Sequence, residues 1–216
     1  MNHATRKIVS TVGIILGISG MNHGFFEFLQ GNQPTGGLIV QAIGPVQRMW
    51  VHGTEEAFTL LPNFLMAGVF TMLVGLVIII WSVGYIDKKH GATVFILLFL
   101  LLFLVGGGIG QIVFFLPTWA VATRINKLLT WWKQVHPEKT RMALSKLWHF
   151  SLAVSVLSFL IALEIAIFGF FPVVNDPEVL LYTCWSFLLV GLVVLHFTFL
   201  AGFMSDIQAL QLSEKI

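Results

Sequence analysis

Histidines and glutamates at helical spacing are the residues of this 216-residue chain that could do chemistry. His23 and Glu27 are four residues apart, and so are His52 and Glu56, which would place each pair on one helix face, one turn apart. Imidazole and carboxylate groups at this spacing can ligate zinc or non-haem iron, or exchange protons with a substrate. We therefore predict a His/Glu site with these four residues as its candidate metal ligands.

Further polar residues are expected at the same site. Glu55 and His196 are the predicted catalytic groups, because carboxylates and imidazoles exchange protons near neutral pH when their surroundings tune them. Five other polar side chains within or beside apolar segments are predicted to line the site or a path to it: Thr59, Asn63, Gln111, His149 and Glu164. Glu164 stands apart and is expected to be a protonated carboxyl or part of a proton or substrate path.

Simpler structural roles remain open for some of these residues. Glu55 and Glu56 could be favourable charges at a helix N-terminus. His149 could extend from an interface towards water, and His196 could be a neutral histidine bonded to a neighbouring backbone group. The first His/Glu pair is harder to explain in this way, because it lies inside an apolar segment, where a charged side chain costs about 2.5–3.5 kcal/mol.

The composition places the chain in a lipid bilayer. Hydrophobic residues make up 57%, charged residues 10%, and the mean hydropathy is +0.90. Apolar runs of transmembrane length recur, and no polar stretch is long enough for a separate soluble domain, so residues 1–216 are predicted to form one polytopic membrane domain. The net charge of +2 without a basic cluster argues against nucleic acid. Cys184 is the single cysteine, which excludes an intrachain disulfide and a thiolate zinc site.

The apolar runs predict an all-α integral membrane protein, a five-helix transmembrane bundle. The expected spans cover residues 8–30, 54–86, 92–116, 147–171 and 179–204. Thr54 is the predicted N-cap of the second span, and Pro62 is expected to bend it. A short basic, amphipathic helix at residues 123–135 is expected to lie in the interface between the third and fourth helices.

Glycines mark two places where backbones approach closely. Gly13, Gly17, Gly20 and Gly24 form a narrow stripe on the first helix, which would serve either an intrachain contact or a homo-oligomer. The glycines at 106–108 and 110 indicate close packing or a local break in the third helix. The Gly- and Pro-rich segment 31–51 is interpreted as a surface loop in preference to a re-entrant one.

Five spans also fix an expected sidedness. The first loop, the connector 118–146 and the C-terminus would share one side, and the predicted site would open to that side. Most lysines and arginines fall there, so the positive-inside rule predicts a cytoplasmic connector and an N-terminus outside.

These features favour a membrane-embedded enzyme acting on a lipid or other apolar substrate, with zinc or iron to activate water or oxygen, or with a metal-free His/Glu pair. His23-x-x-x-Glu27 and Glu56-x-x-Thr59 resemble the acid/base pairs of the emopamil-binding sterol isomerases, which are also five-helix membrane proteins. The resemblance covers these two motifs, within residues 23–59, and implies a metal-free acid/base isomerase.

Two other classes of function remain open. A haem-b or quinone-linked electron carrier would need two facing histidines, for which His23 and His196 are the candidates. A non-enzymatic transporter, channel or assembly partner would account for Glu164, for the glycine stripe and for the absence of a catalytic motif.

Overall fold

Four long apolar helices dominate the computed structural model, which describes residues 1–213. They are α1 (His3–Leu29), α2 (Phe64–Gly84), α7 (Trp148–Phe168) and α8 (Pro177–Ser213). Each is long and apolar enough to cross a membrane. The chain is therefore a mostly helical, membrane-embedded protein, but with four such helices in the described residues where we predicted five.

The predicted third span is broken into two shorter helices. α3 (Gly91–Val105) and α4 (Ile112–Ala122) are separated by the strand β3 (Gly106–Gly108) and a 3₁₀ turn (Ile109–Gln111). At the helical rise, α3 and α4 are about 22 Å and 16 Å long, which is short of the roughly 30 Å of a hydrocarbon core. Together they form a helical hairpin, held by stacking of Phe99 on Phe115 with ring centroids 3.6 Å apart.

A small antiparallel sheet supplies hydrogen-bond partners for the backbone groups that the break between α3 and α4 leaves unpaired. Its strand order is β1 (Ile39–Gln41), β2 (Glu56–Thr59), β3. Leu60 N donates to Leu104 O at 2.8 Å, and Thr59 Oγ1 donates to Val105 O at 3.0 Å. Non-helical backbone is tolerated at membrane depth only where protein satisfies it, and β2 does so here.

The second helix begins ten residues later than we predicted, at Phe64 and not at residue 54. Asn63 is its N-cap, and the Asn63 side chain accepts hydrogen bonds from Leu65 N at 2.9 Å and Met66 N at 3.3 Å. Pro62 disfavours helical backbone at the residue before it, so it precedes the helix and does not bend it. Glu55 and Glu56 are therefore not charges at a helix N-terminus.

The glycine stripe of α1 packs within the chain. A Cβ on Gly17 would lie 2.7 Å from Gly75 O, and one on Gly24 would lie 2.7 Å from Gly68 O, so α1 and α2 touch backbone to backbone. Gly20 faces Leu102 of α3. The intrachain alternative accounts for the stripe.

One end of the bundle, here called the basic end, gathers the first residues of α1, the 85–91 turn, the connector 118–147 and the last turns of α8. Asn2 Nδ2 donates to Arg124 O at 2.7 Å and Lys127 O at 2.9 Å. Arg6 pairs with Asp87 at 3.3 Å. Asp206 of α8 accepts hydrogen bonds from the first amides of α1, at 2.8 and 2.9 Å.

The opposite end, the loop end, carries residues 30–63 and the turn between α7 and α8. Trp50 Nε1 donates to Ala166 O at 2.9 Å, and His52 Nε2 lies 2.9 Å from Glu178 Oε1. The first loop and the connector are thus at opposite ends, while the first residues of α1 and the connector are together. The grouping of segments by end therefore differs from the predicted one on both points, because the α3–α4 hairpin enters and leaves at the basic end.

The connector holds two short helices in place of the single one predicted at 123–135. They are α5 (Thr130–Val135) and α6 (Glu138–Ser145). Leu128 and Trp131 are 78% and 59% exposed. These side chains and their basic neighbours fit an interfacial position.

Candidate functional site

His23 and Glu55 form a close pair inside the loop end. His23 is on α1, about 9 Å from the end of the helix at Leu29 by the helical rise, and its side chain is 5% exposed. Its Nε2 lies 2.5 Å from Glu55 Oε2, and Glu55 stands just before β2 in the loop. Two distant parts of the chain thus meet in one pair, in which His23 is buried and Glu55 is partly exposed.

Glu27 lies one helical turn further along the same face of α1. It is fully buried, and Thr71 Oγ1 of α2 donates to its Oε2 at a long 3.5 Å. A Cβ on Gly106 would lie 2.7 Å from Glu27 Oε1, so the break in the hairpin provides the room for this carboxyl.

The strand β3 and the following turn cover the pair from the side of α3 and α4. A Cβ on Gly108 would lie 2.5 Å from His23 Nε2. Gln111 Nε2 donates to Ser19 Oγ at 3.0 Å, one turn before His23 on α1. The broken segment therefore packs along the polar face of α1.

Three buried atoms of this cluster lack hydrogen-bond partners within the described chain. They are His23 Nδ1, Glu27 Oε1 and Gln111 Oε1. An unpaired buried polar atom costs about 1–3 kcal/mol, so the concentration of three of them where the hairpin break meets α1 makes this cluster the candidate site.

The electrostatics of the pair favour an ionised Glu55. Burial alone would raise the pKa of the Glu55 carboxyl, but the charge of His23 and the hydrogen bond to it lower this pKa by more. The net pKa of Glu55 lies below its ordinary value, and the carboxylate is available to orient the imidazole.

The predicted metal set is not brought together. His52 pairs with Glu178 near the surface, and Glu56 is exposed on β2. Within residues 1–213, no group of three or more His, Cys, Asp or Glu side chains is placed to hold a metal ion. Of the two motifs that resemble the sterol isomerases, the first is at the site, whereas Glu56 of the second is not.

All of the predicted lining residues except His149 lie in the loop-end half of the bundle. Thr59 and Gln111 are buried beside the hairpin break, and Asn63 caps α2. Glu164 is exposed on α7 about one turn from its loop-end terminus, so it shares the half of the bundle that holds His23, contrary to our expectation.

His149 and His196 lie away from the site. His149 starts α7 at the basic end and stacks on Trp148. His196 is exposed on α8, about 28 Å by helical rise from the loop-end start of that helix, and its Nδ1 bonds to Leu192 O at 2.8 Å. This placement is incompatible with the predicted catalytic role of His196. It is also incompatible with a pairing of His196 and His23 across a haem.

Sequence reasoning missed Ser19 and Thr71, and it noted Gly106 and Gly108 as a point of close packing or a break without placing them at the site. Ser19 was detectable, because it lies four residues before His23 on the same face. Thr71 resembled any other residue of an apolar helix, and the glycines gave no sign of which side chains they would contact. Comparisons with protein-family models, curated proteins and solved structures gave no match.

Proposed function

We propose that this is a multi-pass membrane protein with a metal-free acid/base site, which transfers protons to and from an apolar substrate at His23, Glu55 and Glu27. The observation that carries the proposal is the pair formed by the buried His23 and the partly buried Glu55. Within the described residues, neither His23 Nδ1 nor the neighbouring Glu27 Oε1 has a hydrogen-bond partner.

The roles of the three residues follow from their contacts. Glu55 holds Nε2 and orients the ring, as a carboxylate does for a general-base histidine. Nδ1 of His23 is then the nitrogen free to exchange a proton with a substrate. Glu27, buried with one free oxygen, is the second proton carrier, so that one group can deliver a proton while the other removes one.

The same proposal places the basic end in the cytoplasm. Apart from Arg48, every lysine and arginine of residues 1–212 is at that end: Arg6, Lys7, Lys88, Lys89, Arg124, Lys127, Lys133, Lys139, Arg141 and Lys146. The positive-inside rule then orients the acid/base site towards the outer face of the membrane.

Deuterium transfer tests the acid/base function. Purified protein is reconstituted in D₂O with the lipid extract of the cells that produce it, and lipids that gain carbon-bound deuterium are identified by mass spectrometry. We expect one lipid class to gain label, and His23→Gln, Glu27→Gln and Glu55→Gln to lower the rate at least about a hundredfold.

The matched control is His196→Gln, which removes an exposed imidazole from the other half of the bundle. It should leave the labelling rate unchanged. Absence of any labelled lipid, or equal labelling by His23→Gln and the wild type, would contradict the enzyme proposal.

A proton-coupled transporter is the second candidate, and the broken α3–α4 hairpin favours it. Transporters build their sites from discontinuous helices whose freed backbone lines the substrate path. Proton flux into proteoliposomes separates the two. Flux that is abolished by His23→Gln, without carbon-bound label in any lipid, supports the transporter and excludes the enzyme.

A further inference from the structure

A second feature of the loop end is a cleft between α1 and α7. Its volume is about 710 Å³, and residues 46–49 form its roof. Ligand pockets in proteins have volumes of about 300–1,000 Å³. The cleft is therefore large enough for a bound molecule.

The walls of the cleft are apolar. Ile18, Phe25 and Leu29 line the α1 side, and Ile167 and Phe168 line the α7 side. From Ile18 to Leu29 the helix rises about 16 Å, which matches the hydrocarbon depth of one leaflet, half of a core roughly 30 Å thick. A hydrocarbon chain lying parallel to α1 fits this shape.

The roof carries an uncompensated positive charge. Arg48 Nε is buried and has no hydrogen-bond partner in the part of the chain that the structure describes, and Arg48 Nη2 donates at 3.3 Å to the neutral amide of Gln41. Among the described residues, no carboxylate lies within ion-pair distance of this guanidinium. Arg48 is also the only basic residue that the structure describes at the loop end, where Glu55, Asp176 and Glu178 lie. A partly buried guanidinium is stabilised by an anion, and phosphate fits its planar fork in a bidentate manner.

The interior of the cleft holds a second unpaired polar group. Asn22 lines the cleft about 10 Å below Leu29 by the helical rise. Its side chain is partly exposed, and its amide makes no hydrogen bond within residues 1–212. An amide at hydrocarbon depth needs a partner. An ester carbonyl, which lies below the headgroup of a phospholipid, is an acceptor for it.

We propose that this cleft binds a phospholipid with an anionic headgroup. Arg48 holds the phosphate at the mouth, Asn22 donates to an ester carbonyl, and an acyl chain lies along Ile18 and Phe25. The site is separate from the acid/base site, because His23 and Glu27 lie on the adjacent face of α1, so each can exist without the other.

Lipid retention measured by native mass spectrometry tests the proposal. The full-length protein is released from detergent in the presence of equal amounts of phosphatidylglycerol, phosphatidylcholine and palmitate. We expect one phosphatidylglycerol to remain bound at collision energies that remove phosphatidylcholine. Arg48→Gln should weaken its retention at least about tenfold, and Leu163→Trp, which fills the cleft, should remove both phospholipids.

Lys89→Gln is the matched control, since it removes the same charge at an exposed position of the basic end. It should retain phosphatidylglycerol as the wild type does. Equal retention by Arg48→Gln and the wild type, loss of lipid in Lys89→Gln, or stronger binding of palmitate than of phosphatidylglycerol would each overturn the proposal. If Arg48→Gln does not fold, the test rests on Leu163→Trp, and retention of phosphatidylglycerol by that variant refutes the proposed lipid site.

Discussion

Glu55 holds the His23 ring from a loop, and this arrangement gives the pair its chemical character. A carboxylate on the same helix would be fixed relative to the ring by the helix itself. Here the carboxylate arrives with the small sheet, so the pair forms only when the loop is seated on the broken hairpin. The charge state of Glu55 therefore contributes to holding the loop closed.

Glu55→Gln tests that contribution through its dependence on pH. Because the folded-state pKa of Glu55 is lowered, its stabilising effect is fully present above the unfolded pKa of about 4.3 and is lost as the pH falls through the folded-state value. The variant should be less stable than the wild type by about 1–3 kcal/mol at pH 6. The difference should shrink towards pH 3 in denaturant unfolding.

Glu56→Gln provides the comparison for that measurement, because the neighbouring carboxyl is exposed and pairs with no basic residue within the described chain. It should show no comparable loss at pH 6. A stability difference for Glu55→Gln that is the same at pH 3 and pH 6 would contradict the ion pair.

At the scale of single residues, the sequence was informative about the part of the site that lies on α1, His23 and Glu27. The spacing of His23 and Glu27 placed both on one face of a helix, and the apolar surroundings predicted that this face is interior. The partner of His23 was not predictable, because Glu55 is 32 residues away in sequence and reaches the ring only through strand pairing. Glu55 was predicted to be a catalytic group at the start of a helix over residues 54–86, but that helix begins only at Phe64.

The element that organises the site is the glycine break between α3 and α4. Gly106 has φ +143°, a conformation that other residues rarely adopt. Gly108 leaves just enough room for the His23 ring. Hydropathy describes this segment as a continuous span, and the glycines left close packing and a local break as alternatives. The hydrogen bonds that favour the break come from Thr59 and Leu60, far away in sequence.

Gly108→Ala should damage the site, whereas Gly110→Ala should not. The added methyl at 108 meets the His23 ring, so we expect a loss of about 1–3 kcal/mol in unfolding free energy together with loss of deuterium transfer. Gly110 has no neighbour within 4 Å of such a methyl, and its variant should stay within about 0.5 kcal/mol of the wild type. Equal effects of both substitutions would mean that the ring does not lie against β3.

At the scale of the whole molecule, the glycine break between α3 and α4 changes the end of the bundle at which each later segment of the chain lies. A continuous third span would send the connector to the end opposite the first residues of α1. A hairpin returns it to the same end and turns α7 and α8 around. This reversal explains why His149 and His196 were assigned to the site and Glu164 was separated from it, although the structure has long helices, α7 and α8, in these two regions.

The same change of ends also brings nearly all of the described lysines and arginines together at the basic end. The five-span arrangement divided the basic residues between both faces, with Arg6 and Lys7 opposing the rest. In the folded chain they join the connector, and Arg48 is the exception at the loop end within the described residues. The proposed orientation therefore agrees with the positive-inside rule at every described lysine and arginine except Arg48.

Cysteine accessibility in intact cells distinguishes the two arrangements. His3→Cys and Lys139→Cys report on the basic end, and Val46→Cys, at a site 92% exposed, reports on the loop end. Cys184 is buried in α8 and gives little background. We expect a membrane-impermeant maleimide to label Val46→Cys in intact cells and the other two only after lysis. Labelling of His3→Cys in intact cells, with both Val46→Cys and Lys139→Cys protected, would restore the five-span arrangement and remove the hairpin on which the site depends.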